Sequence, residues 1–522
     1  MRLRRHRKVV AVVAASGVWL ATGMAAAGQD ALPAKAVRDL LESRVGILAN
    51  SVTNLKTRGD SLWVGPFLNL TTDGGESWLV TDADSLLGTA NRVFSIDIEG
   101  QFIWAGLGFV DTATGDGVQS AGGFVFSEDG GQSWTYRSAQ LDRPGDTTIV
   151  YGVSTLSALD VIVPQQSPPF DIDVDPAPGE IRVAGWASGV RRSSDRGATW
   201  RRVVLPPDTV DSIHPDSAYS FRVEPRRGTT GWFNHMGFSV LIDEAGIVWA
   251  GTPAGVNRSL DGGVSWQRFT SDGTAGSLTG NWVISIEEQE LPGRNAIWMA
   301  TWNAGEAGEH DRFGVTVTRD GGETFEQVLI GETVYDFAFE EGYVYAASDN
   351  GLFISQDDGL TWTAVRFFQD VDDPNITLKP DVRVFSAAAT SNAVWAGTSD
   401  GLVRTTDHGA TWRIFRVNVP LRPDEPSARI PTVDTFAYPN PFSPASDRSV
   451  RIRYEASGGS LLRIHDFEMN LVREIRSDSG SGTTELAWDG TDADGIRVAN
   501  GVYFYSVESG GESFWGKVLL IE

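Results

Sequence analysis

An octapeptide of the form Ser/Thr-x-Asp-x-Gly-x-x-Trp occurs seven times and constrains this chain more than any other feature. The copies are Thr71-Thr-Asp73-Gly-Gly75-Glu-Ser-Trp78, Ser127-Glu-Asp129-Gly-Gly131-Gln-Ser-Trp134, Ser193-Ser-Asp195-Arg-Gly197-Ala-Thr-Trp200 and Ser259-Leu-Asp261-Gly-Gly263-Val-Ser-Trp266. They continue with Thr318-Arg-Asp320-Gly-Gly322-Glu-Thr-Phe325, Ser355-Gln-Asp357-Asp-Gly359-Leu-Thr-Trp362 and Thr405-Thr-Asp407-His-Gly409-Ala-Thr-Trp412. The Asp carboxylate can accept bonds from N–H groups just ahead of it and close a turn. The Gly two residues on takes a positive φ at no steric cost. The aromatic, Phe only at 325, opens the next strand with a large apolar plate.

Each octapeptide lies inside a longer unit. Phe238-Ser-Val-Leu-Ile, Ile247-Val-Trp-Ala-Gly251, Gly255-Val-Asn-Arg, the octapeptide and Trp266-Gln-Arg-Phe follow one another. Val384-Phe-Ser-Ala-Ala, Val394-Trp-Ala-Gly397, Gly401-Leu-Val-Arg and Trp412-Arg-Ile-Phe repeat that order. Runs rich in β-branched and aromatic residues, bounded by Gly and Asp, read as four short strands per unit. The Asp residues are 56, 66, 66, 59, 37 and 50 positions apart, the repeat length of a propeller blade. The expected fold is all-β: a seven-bladed β-propeller over residues 44–417, then a small Ig-like β-sandwich. Either consecutive strands build every blade, or a strand near Val45–Ala49 completes the last one.

The repeat resembles the Asp-box, or bacterial neuraminidase repeat, of sialidases, sortilin-type receptors, xyloglucan-degrading enzymes and photosystem II assembly factors. The resemblance implies that Asp73, Asp129, Asp195, Asp261, Asp320, Asp357 and Asp407 are structural and sit one per blade. Sialidases carry an Arg-Ile-Pro motif near the start of their propeller, whereas Arg429-Ile430-Pro431 lies after the seventh unit here. Xyloglucan-type enzymes place two carboxylates across a cleft between two propellers, and this chain has repeats for one.

Residues 418–434 hold Pro420, Pro423, Pro426 and Pro431 and read as a semi-rigid linker. Residues 435–522 contain six or seven short alternating runs, expected to form a sandwich. Tyr438-Pro-Asn-Pro-Phe442, Trp488-Asp-Gly-Thr-Asp-Ala-Asp-Gly495, Gly501-Val-Tyr-Phe-Tyr505 and Gly516-Lys-Val-Leu-Leu-Ile521 mark this region. They resemble the Ig-like domain of the flagellar hook capping protein and the C-terminal sorting domains of type IX secretion cargo. The latter resemblance implies a secretion-sorting or attachment module that engages the export machinery.

At the other end, Arg2, Arg4, Arg5, Arg7 and Lys8 precede the apolar stretch Val9–Met24 and Ala25-Ala26-Ala27. This is the pattern of a secretory signal peptide over residues 1–27, followed by a lead-in over 28–43. Those 27 residues carry five basic side chains and no acidic one, so removing them takes the net charge from −25 to −30. Such a surface repels phosphate backbones and argues against nucleic-acid binding. Without Cys, disulfides, thiolate metal sites and cysteine nucleophiles are excluded. The expected location is extracellular or the outer cell surface, with no membrane-spanning segment after leader removal.

Long connections at 136–167, 202–237, 268–281 and 364–382, and at 107–121 and 302–313, belong to the face opposite the octapeptides. A scaffold elaborated on one face places its function there. Eight Arg and five acidic residues fall between Arg191 and Arg227 in an otherwise acidic chain. Arg222, Arg226 and Arg227 with Trp232 and His235 could grip an anionic or sugar ligand; surface Arg paired with local acids is the plainer reading. Trp302, Glu306 and His310 form a second candidate group on the 302–313 loop. Asp489, Asp492 and Asp494 resemble a calcium loop, but neither register puts Gly sixth and Glu twelfth, so a tight Asp/Gly turn is expected, calcium being the one cofactor considered. No nucleophile-elbow, zinc-protease or phosphate-loop motif occurs. The reading is a binding scaffold for a protein or glycan partner. A glycan-active hydrolase using carboxylates on the loop-rich face, and an adhesive structural protein, are the alternatives.

Overall fold

A computed structural model describes residues 47–80, 91–113, 117–175, 180–226, 231–293, 295–303, 312–340, 342–416, 435–445, 447–478 and 480–521. The expected leader, the lead-in and the 418–434 linker lie outside the described residues. From Leu55 to Phe415 the chain forms seven antiparallel blades, each built on four strands in sequence order. Blade 6 shows the plan: Val334–Glu340, Tyr343–Ser348, Gly351–Ser355 and Thr363–Val365. The third and fourth strands flank the octapeptide turn. First strands are innermost: Leu55–Arg58, Arg92–Glu99, Pro169–Val174, Ser239–Ile242, Trp282–Gln289, Val334–Glu340 and Val384–Thr390. Each packs beside the next, and the last beside the first, around a central channel. The fold is a seven-bladed propeller followed by an Ig-like domain.

The ring closes without exchanging a strand. Blade 1 takes its four strands from residues 55–80, and Ile47–Ala49 is not a strand. The seam is made by packing and hydrogen bonds. Val52 N donates to Thr398 O at 2.9 Å. Trp78 meets Trp395 and Phe415 edge-on, with centroids 6.4 and 5.7 Å away.

The seven turns are near-copies. In each, the leading Ser/Thr hydroxyl donates to the Asp Oδ1 at 2.7–2.9 Å and accepts the Gly N–H at 2.8 Å. The residue before the aromatic is Ser or Thr every time. Its N–H reaches Oδ1 at 2.8–2.9 Å and its hydroxyl reaches Oδ2 at 2.5–2.6 Å. The pattern therefore has a fifth constrained position, which supplies a hydroxyl.

The turn glycine also has an inter-blade role. Gly131 abuts Trp63, Gly197 abuts Trp104, Gly322 abuts Trp249, Gly359 abuts Trp298 and Gly75 abuts Trp395. Each Trp lies on the second strand of the preceding blade, and a Cβ on any of these glycines would fall 2.5–3.2 Å from its ring. The Trp rings are themselves buried.

The insertions fold in two ways. The 107–121 connection is an extension of its blade, in which Phe102–Asp111 pairs with Val118–Ser127 down to Asp111 opposite Val118. The 136–167 and 202–237 insertions form one subdomain. Thr148–Tyr151 and Ser154–Ala158 make a hairpin, and Arg222–Val223 pairs parallel to it. Ser212–Ile213 adds a fifth, outermost strand to blade 4, and Tyr151 Oη donates to Val264 O at 2.9 Å in that blade's octapeptide. These insertions thus reach the outer rim of blade 4.

The C-terminal domain stacks a three-stranded sheet (Thr435–Tyr438, Val450–Ser457, Ser481–Trp488) on a four-stranded one (Leu471–Ser477, Ser460–His465, Gly501–Ser509, Glu512–Leu520). Phe442, Tyr454, Leu486, Trp488, Tyr505 and Val507 fill the space between. The domain touches blade 7. Arg416 and Arg451 flank Asp400 at 2.5 and 3.6 Å, Arg451 also donates to Thr377 O, and the Arg448 guanidinium lies 3.7 Å from the Phe367 ring centroid.

The glycine contact yields a paired prediction. Gly359→Ala meets both a positive φ of 87° and the Trp298 ring at 2.6 Å, whereas Gly262 has a φ of 70° and open space. Chemical denaturation should show Gly262→Ala costing about 1 kcal/mol and Gly359→Ala on the order of 3 kcal/mol. Equal losses would mean that the Trp contact adds nothing.

Candidate functional site

The first strands leave their inner edges unpaired, and exposed strand N–H groups need acceptors. Acidic side chains on these strands supply them across the blade boundaries. Asp97 Oδ2 accepts Val174 N at 2.8 Å, and Asp171 and Asp173 accept Val240 N and Ile242 N at 2.9 Å. Asp336 accepts Ala387 N at 3.0 Å. With Glu287 they place five carboxylates around the channel. One lysine faces them: Lys56 Nζ lies 3.1 Å from Asp97 Oδ1, its side chain 36% exposed against 14% for the aspartate.

Protein surrounds these groups although the channel leaves them partly open. Desolvation dominates the carboxylates and pushes Asp171 and Asp336 up to about 8. It also raises Asp173 and Glu287. The Lys56 charge opposes the rise at all four. In return, the Asp97 charge, foremost, pulls the Lys56 pKa upward.

Above this belt, on the loop-rich face, stands a collar of aromatic side chains. In five first strands the ladder to the second strand skips one residue: Phe94, Phe170, Ile284, Tyr335 and Phe385. Such a bulge bends the strand and re-aims the extra side chain. Phe238 stands just ahead of the blade 4 strand, and Trp186 and Trp302 come from second strands or the turns after them. The rings touch in two runs joined by one ladder pair. Phe94 lies 6.4 Å from Phe170, Phe170 6.1 Å from Phe238, and Phe238 5.5 Å from Trp282. Trp282 pairs with Trp302 across the ladder. Trp302 then lies 5.2 Å from Tyr335, and Tyr335 5.6 Å from Phe385. Arg92 over Phe67, at 4.7 Å, continues the arc to blade 1. Most of these rings are neither buried nor fully exposed. The arrangement can hold an extended apolar or cationic group over an acidic channel.

The residues singled out from sequence fall in three places. Arg222, Arg226, Trp232 and His235 converge in the rim subdomain around the buried Glu224. Arg222 Nη1 and Arg226 Nε lie 3.2 and 2.6 Å from its carboxylate, and the Trp232 indole donates to Arg222 O at 3.0 Å. His235 is buried, accepting Glu224 N–H at Nδ1 and facing Leu205 O with Nε2. Burial lowers its pKa to about 4, so it is a neutral packing group at pH 7. Arg191 and Arg202 clamp Asp142 within the same subdomain. Trp302 sits apart, in the collar, where its indole donates to Val334 O at 2.8 Å. Arg227, Glu306 and His310 lie outside the described residues. Asp489 Oδ1 accepts Thr491 N, and Asp492 Oδ1 accepts Asp494 N and Ile496 N. These two carboxylates close their own turn. No three acidic or His side chains among the described residues converge as a metal ion would need.

Sequence reasoning missed the collar and the belt. A signal for them exists: Phe94-Ser95, Phe170-Asp171, Phe238-Ser239, Tyr335-Asp336 and Phe385-Ser386 put an aromatic ahead of Ser or Asp at the same point of five blades.

Residues 446–513 match the FlgD Ig-like domain family. No curated protein matches the chain. Among solved structures, the chain is similar to YCF48 bound to D1 peptide, at 15% identity over 72% of this chain and 96% of that one, TM-score 0.40. It is similar to PorZ, a bacterial surface component of the type-IX secretion system of Porphyromonas gingivalis (16%, 90% and 75%, TM-score 0.36). The GH74 enzyme of Niastella koreensis is another (12%, 92% and 74%, TM-score 0.49). Among the described residues no helix is long and apolar enough to cross a membrane.

The belt and the turns act on stability with opposite signs. A carboxylate raised in the folded state contributes stability below its unfolded value, near 4, and loses it as pH rises through the folded value. Asp171 and Asp336, at about 8, should therefore lower stability steadily between about pH 4 and 8. The octapeptide aspartates, depressed by their hydroxyl and N–H partners, act in the other direction below about pH 4. Urea midpoints from pH 5 to 9 should fall in the natural chain and flatten in Asp171→Asn/Asp336→Asn. A level natural profile would contradict the raised values.

Proposed function

We propose that this chain is an exported binding scaffold whose propeller holds a protein or glycan partner on the loop-rich face. The collar carries the reading. Two runs of touching aromatic rings, Phe94 to Trp282 and Trp302 to Phe385, meet where Trp282 pairs with Trp302 across the ladder; partly open and reaching six blades, they form a surface that proteins reserve for recognition. The basic and apolar leader pattern supports export, and the C-terminal Ig-like domain is assigned to secretion sorting or surface attachment. The octapeptide carboxylates do not favour catalysis, since each is saturated by its own turn.

One observation favours a second reading. Asp171 and Asp336, held protonated near neutral pH, are suited to general acid catalysis, as in a glycan-active hydrolase working from the same face.

The test is a glycan array together with capture from the cell surface, using the chain without its leader and with products assayed on every hit. Binding without products is expected. Trp302→Ala should weaken it about tenfold or more, while Trp232→Ala in the rim subdomain leaves it unchanged. The reverse ranking would move the site to the rim. Products lost in Asp336→Asn would establish the hydrolase.

A further inference from the structure

The collar and the belt carry more information together than either does alone. Aromatic plates accept aliphatic stems and attract cations over their faces. Among the described residues, one ammonium faces the five carboxylates just beneath them, that of Lys56, and the Arg182 guanidinium, across the ladder from Asp173, acts on that one aspartate. Four of the five already accept backbone N–H bonds, and burial holds Asp171 and Asp336 in their neutral form near pH 7, so the belt keeps carboxyl groups that a further cation would ionise. The channel also displays its complement in cis, since the Lys56 ammonium reaches Asp97 from a flexible methylene stem.

We propose that the collar is a docking surface for a protein partner that presents a lysine side chain. The stem lies against Phe170, Phe238 and Trp282, and the ammonium points into the carboxylate-lined mouth. Charge complementarity selects the occupant. A sialylated or phosphorylated ligand would meet repulsion at the same place, whereas the acidic surface at large steers a basic partner inward. The raised pKa values of Asp171 and Asp336 agree, because a second cation would return those carboxylates to their charged form. The proposal rests on the binding-scaffold reading and names the chemistry of its partner.

The experiment measures fluorescence anisotropy of short end-blocked peptides, each with one central lysine, Nε-acetyl-lysine or norleucine, against the leaderless chain at physiological salt. The lysine peptide should bind about tenfold or more tightly than either neutral peptide. Phe170→Leu and Trp282→Leu, checked for folding by thermal midpoint, should each weaken it at least about threefold. Asp216→Asn, which removes a carboxylate whose side chain is 87% exposed, should leave it unchanged. Lys56→Met should tighten binding by at least about threefold, since it removes the resident competitor. Equal affinity for the three peptides, equal losses in Asp216→Asn, or no gain in Lys56→Met would overturn the proposal. A chitosan oligomer that outbinds the lysine peptide would overturn the protein assignment. If partners captured from the cell surface depend on Trp302 while the lysine peptide does not bind, the scaffold reading stands and this inference falls. Loss of both removes both.

Discussion

The structure depends on one contact made again and again: a glycine of one blade's turn lying on a tryptophan of the blade before. A four-stranded sheet has two apolar faces and cannot bury either alone. The flat indole covers much area, and a backbone without Cβ can settle directly on it. The Asp and its two hydroxyl partners hold that glycine at positive φ and in place. The carboxylate is thus several steps removed from any ligand: it fixes a turn, the turn fixes a glycine, and the glycine fixes the distance between blades. Blades 3 and 6 do without the tryptophan. In the second of these the side chain is Ile354, which a Cβ on Gly409 would approach at 2.5 Å, so an aliphatic group fills the same role there.

This hierarchy explains what could be read beforehand. The octapeptide is local: all its hydrogen bonds close within five residues, so spacing alone displays it. Blade number and strand order follow from it. The tryptophan partners were visible as a recurring second-strand residue, but their contact joins residues dozens of positions apart. The collar was harder to see because a bulge is a property of pairing. Phe94 and Tyr335 look like ordinary members of an alternating strand until the partner skips them. For the Arg-rich stretch the sequence left two readings open, a ligand grip and pairing with local acids. Its density in sequence is high, yet Glu224 and Asp142, each a single buried acid, gather two guanidinium groups apiece.

Channel and rim show two ways of handling charge out of water. At the rim, arginines and acids are matched closely, so the ions satisfy one another and little field escapes. In the channel the match is deliberately incomplete only in the electrostatic sense. Backbone N–H groups stitch the carboxylates to neighbouring blades, and one lysine stands against five of them. The same side chains therefore serve cohesion through their hydrogen bonds, while burial rather than a matching cation sets the charge state of Asp171 and Asp336.

The seam between blades 7 and 1 has a topological consequence. It is built from the same glycine-on-tryptophan contact as four of the other boundaries, with Gly75 on Trp395, and no strand crosses it. The chain therefore enters and leaves the ring at one place, where Val52 meets Thr398. Any other blade boundary could in principle serve as the break. The propeller is in effect a circular object that happens to be encoded linearly, and new ends opened elsewhere in the ring would leave its architecture the same.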